Sequence, residues 1–204
     1  MADSLAPGAV TPLLEGRFGR PYRYEQSCRS TQRLLALDDP EGAVAVAEEQ
    51  TEGRGRLGRA WHAPRGTSVL ASVLLRPDVP APRLPELSIV AGRAVAAALE
   101  SETGVAGTIK FPNDVLIGDR KVAGILAEAS EGRVVLGLGI NVNQTRDELP
   151  SNAQTEPTSL RVETGAKVDR ARLLAAVLVR LEAEYDSWLR EAQRAADVSG
   201  DVLR

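Results

Sequence analysis

Four strand-like runs follow one another between Thr108 and Val142 with only tight polar turns between them: Thr108–Phe111, Val115–Ile117, Lys121–Ala129 and Arg133–Val142. A parallel crossover consumes about a dozen residues or more. The short spacing therefore predicts antiparallel hairpins, with Gly118-Asp119 as the clearest turn. A chain carrying this meander has to build around one main sheet.

The flanking segments supply what covers that sheet. After a Pro-rich turn at 77–85, a helix is expected to about residue 103. Leu87, Val90, Ala91, Ala94, Val95, Ala98 and Leu99 form its apolar face, and Gly104 stops it. Asp169 is a good cap for a final helix with Leu174, Leu178, Leu181, Tyr185 and Trp188 on one face. Gly42–Gln50 and Ser68–Arg76 read as further strands, the second largely buried. A short helix is expected over Ser30–Leu37, capped by Ser30 or Thr31. Residues 144–167 read as a polar connection with weak structure, and 1–21 as a flexible or irregular N-terminal segment. The expected class is α+β, or mixed α/β: a central mixed, largely antiparallel sheet with packed helices. A chain of 204 residues suits one domain.

Composition removes several functions. One cysteine, Cys28, and one histidine, His62, leave no disulfide framework, cysteine cluster or polyhistidine site, so no metal ligands are assigned. A net charge of -3 gives no long-range attraction for polyanions, which argues against general nucleic-acid or membrane-surface binding. No apolar run approaches the length of a membrane span, and the first residues lack the pattern of a secretory signal. A cytoplasmic location is the expectation.

Against this background Gly53-Arg54-Gly55-Arg56-Leu57-Gly58-Arg59-Ala60-Trp61 stands out. Its glycines fit G-x-G-x-x-G, but Trp61-His62-Ala63-Pro64 follows where a dinucleotide-binding helix should continue. Four arginines and no acid lie between residues 53 and 65. Guanidinium forks hold phosphate oxygens through paired hydrogen bonds, and Trp61 can cover a ring. A mobile loop of this kind suits enclosure of a phosphate-bearing ligand. Two further stretches carry chemistry: Lys110-Phe111-Pro112-Asn113-Asp114, and Arg120-Lys121 leading into a strand containing Gly124. Lys121 at the mouth of a sheet can point its charge at a phosphate or carboxylate. Gly137 and Gly139 in the next strand suggest close passage of another group, or a bulge.

Together with Ser30-Thr31 and Glu49-Gln50-Thr51, these pieces resemble, in order and spacing, the catalytic domain of biotin protein ligases over roughly residues 22–190. The resemblance implies a sheet related to that of class II aminoacyl-tRNA synthetases. It also implies biotin and ATP as substrates, Mg2+ accompanying the nucleotide, and a lysine of a biotin carboxyl carrier protein or domain as acceptor. Carried over by motif, Ser30, Thr31, Gln50, Gly53, Arg54 and Gly124 are biotin-side positions. Arg56, Arg59, Trp61, Asn113, Asp114, Lys121 and Asn141 are adenylate-side positions, with Lys121 and Arg56 catalytic. The alternatives are a biotin- or biotinyl-adenylate-binding protein with impaired transfer, and a related lipoate or acyl-adenylate ligase.

The sequence departs from the family pattern at Gln32, where Asn commonly follows the Ser-Thr pair, at Phe111, where Trp is usual, and at Ser68, where Asn is frequent. The domain expectation is a ligase unit over 22–204, without a preceding DNA-binding domain or a following β-barrel cap. Sheet-edge dimers among relatives leave a homodimer open.

Overall fold

A computed structural model describes residues 3–151 and 153–201, with side-chain environments up to residue 194. Seven strands form one mixed sheet among the described residues: β1 (Tyr22–Glu25), β2 (Val44–Ala47), β3 (Ser68–Leu75), β4 (Thr108–Lys110), β5 (Asp114–Ile117), β6 (Arg120–Ser130) and β7 (Arg133–Asn141). Their order is β1-β2-β3-β7-β6-β5-β4. Every pairing is antiparallel except β1 with β2. The meander from β4 to β7 is the one its short turns require. β1 is an element the sequence reading did not anticipate. It is four residues long, and its Tyr22 and Tyr24 face inward while Arg23 and Glu25 are exposed.

Four α-helices accompany the sheet among the described residues: α1 (Pro7–Val10), α2 (Leu87–Thr103), α3 (Leu160–Thr164) and α4 (Arg170–Asp201). α2 packs along α4, and both bury their apolar faces on one side of the sheet. The seven apolar residues expected on α2 are all buried, and Gly104 closes the helix with φ 71°, a backbone state that costs glycine little. On α4, Leu174, Leu178, Leu181, Tyr185 and Trp188 are buried as expected. Trp188 Nε1 donates to Glu86 (2.7 Å) and Tyr185 OH to Glu41 (2.9 Å), so both aromatic residues satisfy their polar ends at the edge of the core.

Scattered side chains of the N-terminal segment pack into the domain. Leu5, Val10, Leu14 and Phe18 are buried in the main core. Asp3 and Glu48 flank the guanidinium of Arg170, which is 1% exposed. A charge so fully desolvated persists only with paired, hydrogen-bonded partners, and Asp3 supplies one of them. The segment lacks periodicity because its anchors are scattered single side chains rather than one helical face.

The opposite face of the sheet carries a smaller apolar cluster of Leu35, Ala43, Ala45, Leu74 and Val135. β2, within the strand expected over Gly42–Gln50, is buried on both faces. The helix expected over Ser30–Leu37 is a 3-10 turn at Thr31–Leu34, and no side-chain hydroxyl caps it. Among the described residues no helix is long and apolar enough to cross a membrane.

Candidate active site

Strand register places three glycines on the sheet face away from the helices. Ser72 pairs with Gly137 and Gly137 with Leu126; one step along the same face, Leu70 pairs with Gly139, Gly139 with Gly124, and Gly124 with Asp114. Residues two apart on a strand share a face, so Gly137, Gly139 and Gly124 form a floor without side chains. Above it lies a cavity of about 810 Å³, within the usual range for small-ligand sites. The glycines are there because other side chains rest on them. A Cβ on Gly139 would meet the Trp61 ring at 2.6 Å, and one on Gly124 would meet it at 2.9 Å. A Cβ on Gly137 would lie 3.3 Å from Gln32 Nε2.

One end of the cavity is polar and uncharged. Gln50 Oε1 accepts from the Thr31 backbone N–H (2.7 Å) and lies 3.1 Å from Thr31 Oγ1, which in turn is 2.8 Å from Ser72 Oγ. Ser30 lines the same end. Both hydroxyl residues of the expected cap therefore line the cavity.

The other end is charged. Lys121 Nζ stands 2.7 Å from Asp114 Oδ1, a close ion pair whose angle departs from that of an aligned hydrogen bond. It also lies 5.6 Å from the centre of the Trp61 ring. Strict alternation along β6 would point Lys121 into the core with Ala123 and Ile125. A break in register between Val115 and Leu116 leaves Val122 as the extra residue on β6. Val122 and Ala123 are both buried in the main core, and Lys121 is turned onto the face of Gly124, 3.2 Å from where a Cβ there would be. Re-aiming one side chain is what a β-bulge does.

The Gly-Arg segment is a short hairpin rather than an open loop. Trp61 N donates to Gly53 O (2.9 Å) and Gly55 N to Arg59 O (2.7 Å). Its tip turns through Leu57 and Gly58, at φ 59° and 72°. Gly53 does not line the cavity; it sits behind the wall, where a Cβ would meet Trp61 O at 2.5 Å. Arg54 lies 3.6 Å from Glu128, and Arg56 reaches Asn113 Oδ1 at 3.5 Å. Asn113 is itself tied to β6, exchanging Ile125 N–H to its own carbonyl (2.9 Å) and donating Nδ2 to Ile125 O (3.0 Å). Asn141 lines the cavity, but its amide is engaged with Thr158 O (3.0 Å) and Gln144 (3.0 Å). Phe111 stands at the rim, 81% exposed.

Residues 153–158 are a part of the site that the sequence motifs did not mark. Lys121 N donates to Glu156 O (2.7 Å) and Thr158 N to Lys121 O (2.8 Å), holding the backbone of Lys121 from both sides. Arg59 donates to Gln154 Oε1 (2.8 Å) and Lys110 Nζ to Thr155 Oγ1 (3.1 Å). The connection expected to have weak structure closes the charged end, and α3 lies within it. These contacts use backbone groups and short polar side chains, which leave no periodic signal.

A neutral polar end and a cationic end on one glycine floor define a site for a ligand with an uncharged head and an anionic tail. Comparison with known proteins agrees with that geometry. The profile of the Biotin/lipoate A/B protein ligase family matches residues 24–144, and the chain belongs to this family. It is 42% identical over 174 residues to the biotin--[acetyl-CoA-carboxylase] ligase of Mycobacterium tuberculosis, covering 81% of this chain and 62% of that one. Its identity to the bifunctional ligase/repressor BirA of Bacillus subtilis is 39% over 180 residues, 84% of this chain and 55% of that protein. The chain thus spans little more than half the length of these relatives. A biotin protein ligase from Aquifex aeolicus, solved in complex with biotin and ATP, superposes with a TM-score of 0.76 at 36% identity, over 83% of this chain and 72% of that one. The expected fold, that of the biotin ligase catalytic domain related to class II aminoacyl-tRNA synthetases, is the one observed.

Proposed function

We propose that the chain catalyses ATP-dependent attachment of biotin to a lysine of a biotin carboxyl carrier protein or domain, by way of biotinyl-5′-AMP. The observation that carries this reading is the division of one cavity into an uncharged hydrogen-bonding end at Thr31, Gln50 and Ser72 and a cationic end at Lys121, with Arg56 and Arg59 on its rim. Biotin has the matching polarity: a neutral cyclic urea at one end and a carboxylate at the other.

A carboxylate with a pKa near that of Glu, about 4.3, is ionised at neutral pH and needs no general base. The obstacle is the approach of one anion to the α-phosphorus of another. Lys121 and Arg56 offset that repulsion and stabilise charge on the phosphoryl oxygens as the O–P bond forms and pyrophosphate departs. Trp61, lying over Gly139 and Gly124, shields the mixed anhydride from water. In the second step the neutral amine of the carrier lysine attacks the acyl carbon. A C–N bond forms, the bond to AMP breaks, and the amine loses a proton to solvent or a nearby base.

Asp114 is the one carboxylate lining the cavity among the described residues, and no group of three His, Cys, Asp or Glu suited to a metal occurs among them. That donor set fits Mg2+ carried on the phosphates of ATP, with Asp114 as a single protein contact. Bound there, the ion would neutralise phosphate charge.

The reading is tested by incubating the purified chain with biotin, labelled ATP, Mg2+ and a carrier domain. Carrier biotinylation with release of AMP supports it. Formation of neither adenylate nor biotinylated carrier contradicts it.

A further inference from the structure

We infer that Ser72 is a positioning residue that, through Thr31, fixes the carboxamide of Gln50 at the neutral end of the cavity. The inference deepens the proposed function and rests on it for the identity of the ligand.

The argument is one of donors and acceptors. A backbone N–H can only donate, so the Gln50 atom 2.7 Å from Thr31 N must be the amide oxygen. That oxygen is also 3.1 Å from Thr31 Oγ1. A hydroxyl has a single proton. If Thr31 gives its proton to Gln50, the 2.8 Å contact between Thr31 Oγ1 and Ser72 Oγ must be filled by the proton of Ser72. The chain Ser72 to Thr31 to Gln50 then uses both protons and gives Gln50 Oε1 two donors. The reverse orientation leaves the 3.1 Å contact unfilled. Ser72 is fully buried and Thr31 is 3% exposed, so water does not compete for these contacts.

With its oxygen held by these two donors, the Gln50 carboxamide is fixed where Gln50 lines the cavity. Ser72 touches the ligand in none of this; it acts through Thr31 and Gln50.

The test is a double-mutant cycle on biotin binding, measured by titration calorimetry with the full chain: parent, Ser72→Ala, Gln50→Ala and the double variant. Ser72→Ala is expected to weaken biotin binding about tenfold in the parent background and less than twofold in the Gln50→Ala background, because the group it positions is then gone. KM for ATP should stay within twofold of the parent, since the cationic end is untouched. Should the alanine variant lower the melting temperature by more than about 5 °C, Ser72→Cys, similar in volume but a poor hydrogen-bond donor, is read in its place. Equal losses in both backgrounds, or parental affinity in Ser72→Ala, would overturn the inference while leaving the ligase reading intact. Absence of biotin binding by the parent would overturn that reading, and this inference with it.

Discussion

The indole of Trp61 lies flat enough on Gly139 that a Cβ at residue 139 would come within 2.6 Å of the ring. Trp61 Nε1 is buried there and has no acceptor among the described residues. A buried donor without a partner is costly, and a bound ligand offering an acceptor removes that cost. The hairpin carrying Arg54, Arg56 and Arg59 is thereby seated on the sheet through one aromatic ring, whose seat exists only while residues 124 and 139 lack side chains.

Replacing Gly139 by alanine should lift that ring. The expected result is at least a tenfold faster release of biotinyl-AMP, with overpacking destabilising the fold by about 1–3 kcal/mol. Intrinsic fluorescence reads the change directly. The chain has two tryptophans, and Trp188 is buried against Glu86, away from the cavity. A ligand-dependent emission change therefore reports Trp61, and in Gly139→Ala it should be reduced.

Gly53→Ala attacks the same hairpin from behind. Its Cβ would lie 2.5 Å from the main-chain oxygen of Trp61 and 3.2 Å from Gln50 Nε2, and backbone yields less readily than a side-chain tip. Free biotinyl-AMP should accumulate several-fold above the parent during turnover. Unchanged retention of the intermediate would count against a shielding role for the hairpin.

A pH effect on stability is expected at Asp39, remote from the chemistry. Its carboxylate accepts from Arg23 and from the Ala36 backbone N–H (2.7 Å), fixing the turn before β2. The hydrogen bond from Arg23, followed by that from Ala36, holds Asp39 below the usual carboxylate range against the opposing effect of burial. The stabilisation is therefore complete above about pH 4, the ordinary titration range of Asp, and is lost as pH falls through the lowered value. Asp39→Asn should have a lower urea midpoint than the parent at pH 7. The difference should close as pH falls through the lowered value of Asp39. A difference that persists unchanged into acid would contradict this assignment.

Much of this architecture was legible in the residues because packing periodicity is written one element at a time. The apolar face from Leu87 to Leu99, the face from Leu174 to Trp188 and the β4–β7 meander each declare themselves locally. The site was legible through residue types whose cost in a strand demands a reason: Gly124, Gly137 and Gly139 in the sheet, and Lys121 at its mouth. What escaped depends on relationships between distant segments. Lys121 faces the cavity only because a bulge appears when β5 and β6 pair, and no pattern within β6 announces it. Glu156 and Thr158 reach the site through main-chain bonds to Lys121, and Asp3 reaches Arg170 through one carboxylate. Such contacts have no spacing to detect.

The proposed role of Lys121 is to stabilise charge at the phosphate during activation of the biotin carboxylate. Its measure is pyrophosphate release from ATP in the presence of biotin, compared between the parent and Lys121→Ala with biotin affinity measured alongside. The rate should fall by roughly 10²–10³, the scale of removing one preorganised charge-stabilising group, while biotin affinity changes less than about threefold, well under one such group's worth. Equal rates of pyrophosphate release in the two proteins would rule that role out.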